Sequence, residues 1–112
     1  MNKDLEQAKA LLENNEEYTC AACRAGEIFA SEEHGIRPLM RWLNEGTDLS
    51  GASAADRIVG KAAAFLYVLL GVRTVYAPLM SVPARETLRA HSIEAIADTV
   101  VPAIRNRADT GF

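Results

Sequence analysis

Apolar positions recur along this chain at two spacings, and breakers cut the pattern into short elements. Leu5, Ala8, Leu11 and Leu12 fall on one helical stripe, with Lys3, Glu6, Gln7 and Lys9 off it. That predicts a first helix over 2–15, ended by Asn14-Asn15, since asparagine competes with the helix for its own backbone bonds. Residues 18–23 and 28–31 read as two strands joined by Arg24-Ala25-Gly26-Glu27, where Gly26 can supply the positive φ of a hairpin turn. The first of them is small and nearly uncharged, the mark of a strand covered on both faces. Pro38 opens a second helix over 37–45 with Leu39, Met40 and Leu43 as its buried stripe, and Gly46 stands where a left-handed cap belongs. Ser53-x-x-Asp56 reads as a capping signal for a third helix over 54–70. Val59, Ala62, Ala63, Leu66, Leu69 and Leu70 repeat in that helix at helical spacing, with Ile58, Phe65 and Val68 on a second face, so it is expected to be central and buried. Gly71 ends it. A strand over 72–77, a fourth helix capped by Ser81 and running from Pro83 to His91, and a short strand over 93–96 follow, leaving 97–112 as an irregular tail. The order is α-β-β-α-α-β-α-β, an α/β (α+β) sandwich whose mixed sheet carries helices on its faces and its ligand crevice near helix starts.

Composition narrows the function. The 112 residues are 49% hydrophobic and 24% charged, with 15 acidic against 12 basic and a net charge of −3. One domain is expected. The balance speaks against a polybasic nucleic-acid binder, and the longest uncharged stretches, 62–72 and 74–84, are short of the roughly 20 residues a membrane span needs. The acidic, interrupted N-terminus is unlike a signal peptide, and two cysteines do not make a disulfide scaffold, so a cytoplasmic location is expected.

The chemistry-bearing residues are few. Cys20-x-x-Cys23 has redox spacing, but in a strand positions i and i+3 face opposite ways, so the thiols are expected to be two small buried hydrophobes. Gly51…Gly60-Lys61 has the wrong spacing for a phosphate loop, and Ala62 stands where Ser or Thr is required. His34 and His91 have no ligand-spaced partner. Two helix starts, 53–57 and 81–84, remain as anion sites in waiting. Asp56, Arg57 and Lys61 crowd the first. The plain reading makes Asp56 a capping carboxylate, with Arg57 and Lys61 solvated; the functional one puts Asp56, Lys61 and Ser81, with Ser53 beside them, on one crevice. Asn106 and Arg107 would join them if the apolar stretch 100–104 docks on the body.

GIRPL (35–39), ADRIVGKAAAFLYVLLGV (55–72), YAPLMS (76–81) and VPAIRNRADTG (101–111) together resemble a small family of bacterial proteins, a domain of unknown function with a cytidine-deaminase-like fold. The resemblance implies a five-stranded sheet sandwiched with helices, and relatives that continue with a short Cys-Pro-containing tail. Zinc deaminases carry H-x-E or C-x-E at one helix start and P-C-x-x-C at the next. The matching regions here, 53–61 and 81–85, hold neither Cys nor His, so no metal, no cofactor and no hydrolytic deamination are expected. The reading is a zinc-free deaminase-fold protein for a small anionic or nucleotide-like ligand held by Asp56, Lys61 and the helix starts. Two alternatives stand beside it. One is an enzyme with Ser81 or Asp56 as nucleophile and a desolvated Lys61 as base. The other is a homo-oligomeric interaction module, with Trp42 and Met40 as its anchor unless Trp42 is core.

Overall fold

Helix α1 (Lys3–Asn14) starts where Asn2 accepts a hydrogen bond from the Leu5 N–H at 3.0 Å, and it buries Leu5, Ala8 and Leu12. The computed structural model describes residues 2–104. The hairpin follows as β1 (Cys20–Arg24) and β2 (Glu27–Ser31), with Arg24 paired to Glu27. Its two turn residues, Ala25 and Gly26, both take positive φ (51° and 86°), the primed turn that suits the strand twist. Helix α2 (Arg37–Glu45) ends on Gly46 at φ 71°, as its sequence predicts.

The third helix departs from expectation. Residues 53–59 are extended: β3 (Ser53–Asp56) and β4 (Ile58–Val59) precede α3 (Lys61–Leu70). Ser53-x-x-Asp56 is therefore no capping signal, and Asp56 and Arg57 are not in the helix. The run Ala54-Ala55 has no charge to mark a solvent face, because β3 is covered on both sides; buried strand and buried helix look alike over so short a run. Next come β5 (Thr74–Ser81), longer than the expected 72–77, and α4 (Val82–Ala90). The last strand, β6 (Glu94–Val101), extends well past 96. Asp98 and Thr99 gave that stretch the look of a tail, but both are exposed side chains on a strand at the margin of the sheet.

The six-stranded sheet runs β2-β1-β3-β5-β4, with β6 also on β5. The β1–β2 and β1–β3 pairs are antiparallel; β3, β4 and β6 are parallel to β5. Ser53 pairs with Thr74 and Ile58 with Leu79, so β3 and β4 keep one register on β5 and act as a single interrupted strand. The break lies opposite Pro78, which has no N–H to give the ladder. One face of the sheet carries α2, α3 and α4 over a large core that includes Leu39, Val59, Tyr67, Val75, Met80 and Leu88. Among the described residues the other carries α1 alone, over Ala21, Cys23, Ala55 and Tyr76. Trp42 is core, buried with its ring edge-on to Phe29, whereas Met40 is exposed.

Candidate functional site

Strands β4 and β5 run side by side, Val59 against Met80, and each leads into a helix, so the starts of α3 and α4 come together at one end of the sheet. They differ in chemistry. At α4 the Ser81 hydroxyl, buried to 1%, accepts the Ala84 N–H at 3.1 Å and so closes the helix start. At α3 the N-cap is Gly60, and among the described residues no side chain caps the helix. Lys61, the first helical residue, is exposed, and its Nζ lies 6.0 Å from the Phe65 ring centroid. A Cβ built on Gly60 would lie 3.7 Å from Ile104 Cβ, so the chain after β6 passes over this helix start.

Asp56 sits behind that start. Its Oδ2 accepts the buried Tyr67 hydroxyl at 2.7 Å, and the main-chain N–H groups of Ile58 and Arg57 also donate to the carboxylate. Burial nevertheless dominates and pushes the carboxyl up to about 6. Burial and the neighbouring Asp56 charge drive Tyr67 well above its ordinary value. Cys20 pairs with Asp56 across β1–β3 and is raised first by burial, then by the Asp56 charge. Cys23 lies in the opposite core, under α1, and is pushed up to about 11 by burial. The two thiols thus face opposite sides of the sheet, both buried, and neither is a ready nucleophile.

The expected site is only partly brought together. Lys61 and Ser81 stand at the adjacent starts of α3 and α4, whereas Asp56 ends β3, one residue past the Ala55–Tyr76 pair, and turns to Tyr67 inside α3. Ser53 stands at the other end of β3, buried, and accepts from Asn2 Nδ2 at 2.9 Å. Asn106 and Arg107 lie outside the described residues. Arg57 is not solvated. Its Nε donates to Tyr18 O (3.0 Å), and its terminal nitrogen donates to Leu12 O (2.9 Å) and Asn15 O (3.1 Å), which clasps the end of α1. Exposure of Lys61 removes the desolvation a general base would need, and Asp56 and Ser81 are each engaged elsewhere. Tyr67 is the residue that sequence reasoning missed. Its one signal was a hydroxyl in an otherwise aliphatic helix, which must find a partner when buried.

The zinc deaminase arrangement can be tested on these residues. The two helix starts read Gly60-Lys61-Ala62-Ala63 and Ser81-Val82-Pro83-Ala84, with no thiolate or imidazole in either, so they do not fit a zinc of that kind. Among the described residues no three His, Cys, Asp or Glu side chains gather as a metal ion requires. No helix among them is long and apolar enough to cross a membrane.

Residues 7–112 match the family described as TM1506: Domain of unknown function (DUF1893). The chain belongs to the DUF1893 family. The crystal structure of the DUF1893 family protein TM1506 from Thermotoga maritima superimposes with a TM-score of 0.83 at 21% identity, covering 100% of this chain and 76% of that one. Two deaminases share the fold. One is the dCMP deaminase of cyanophage S-TIM5 in its apo form, with a TM-score of 0.58 and 12% identity over 85% of this chain and 94% of that one. The other is the diaminohydroxyphosphoribosylaminopyrimidine deaminase/5-amino-6-(5-phosphoribosylamino)uracil reductase of Thermotoga maritima, with a TM-score of 0.56 and 17% identity. This chain is 85% covered there but spans only 35% of that protein. No curated protein matches. The DUF1893 chain thus has a cytidine-deaminase-like fold: four helices on a mixed sheet.

Proposed function

We propose that this DUF1893 protein is a ligand-binding member of the deaminase fold, without a zinc centre, and that it holds a small anionic or nucleotide-like molecule at the start of α3. The observation that carries the reading is the N-terminus at Gly60, which has no side-chain cap, beside the exposed ammonium of Lys61. The first amides of a helix are unpaired and sit at the positive end of its dipole, so an anion placed there gains both hydrogen bonds and charge. In this reading Asp56 is a positioning group: it holds Tyr67 and the turn into α3 from behind. Asn106 and Arg107 are further proposed contacts, because Ile104 brings the chain to Gly60.

Two variants test it by thermal shift with inorganic phosphate and with a nucleoside monophosphate. A ligand at tenfold its Kd adds about 1.4 kcal/mol of stability to the wild type, which is roughly 5 °C or more in Tm for a domain of this size. Lys61→Ala is expected to shrink that shift. Gly60→Ser supplies the missing cap from within; it alters intrinsic stability by only a few tenths of a kcal/mol, yet competes for the same amides and is expected to remove most of the shift. No shift with either ligand at tens of millimolar, or equal shifts in all three proteins, sinks the proposal.

A further inference from the structure

We draw no further inference here: the strongest candidate, the apolar surface patch that Phe65 and Leu69 leave exposed on α3, carries nothing, because nothing among the described residues shows what covers it.

Discussion

Asp56 and Tyr67 share one short hydrogen bond in a place where a carboxylate is poorly solvated, and that sets how the protein responds to pH. The folded carboxyl titrates near 6, above the roughly 3.9 of an unfolded aspartate. The native state therefore binds this proton more tightly. Its contribution to stability is complete below about pH 4 and is lost as pH rises through 6. Urea unfolding of the wild type against Asp56→Asn isolates this group. The wild type is expected to lose stability relative to the variant between pH 4 and 7, and a constant difference over that range would contradict the assignment. Tyr67→Phe removes a donor to the charged form, so it is expected to cost about 1.5–3 kcal/mol at pH 7.5 and clearly less at pH 4. The sequence singled out Asp56, though as a cap or a ligand contact. Neither Tyr67 nor the clasp made by Arg57 was legible, because each acts on a residue that only the folded sheet brings near.

At the scale of elements, helix ends were read best where their signal is chemical and local. Ser81 before Pro83 and glycines at 46 and 71 mark ends that the fold keeps. The start of α3 lies at 61, seven residues after the 54 that the sequence pattern predicts. Strand β3 lies between β1 and β5 with a sheet face on each side, so its residues show no alternation that would betray a strand. That error moved Ser53 into a crevice it does not line and left the true helix start, Gly60, looking like an interior residue. The strength of the Ser81 cap can be measured. The Ala84 N–H it satisfies is fully buried, so Ser81→Ala leaves a donor without water or partner. The expected loss is about 1–2 kcal/mol, the upper half of the range for caps. A Tm within a degree of the wild type would show that α4 gains nothing from the hydroxyl.

Across the whole molecule the two layers on the sheet are unequal, and this was foreseeable only in part. The α/β class follows from the order of elements, but which helix sits alone depends on crossovers that no local pattern records. Helix α1 covers its face with Leu5, Ala8 and Leu12, while three helices bury the other. Polar ties add to that modest apolar contact: Asn2 at its start, Asp4 accepting the Ala25 and Gly26 N–H groups of the hairpin turn, Lys9 over the Tyr76 ring, and the Arg57 guanidinium on the carbonyls of Leu12, Asn15 and Tyr18 at its end. A layer with few buried contacts opens at lower free energy than the global unfolding of the domain. Native-state hydrogen exchange is therefore expected to show the α1 amides opening before those of α3. Arg57→Lys tests what the clasp adds, because a lysine ammonium cannot span three carbonyls as a planar fork does. It is expected to lower the opening free energy of α1 by about 1–3 kcal/mol while α3 follows only the change in global stability. If α1 and α3 exchange at one common free energy in the wild type, the layers unfold as a unit and the clasp holds no separate part of the fold.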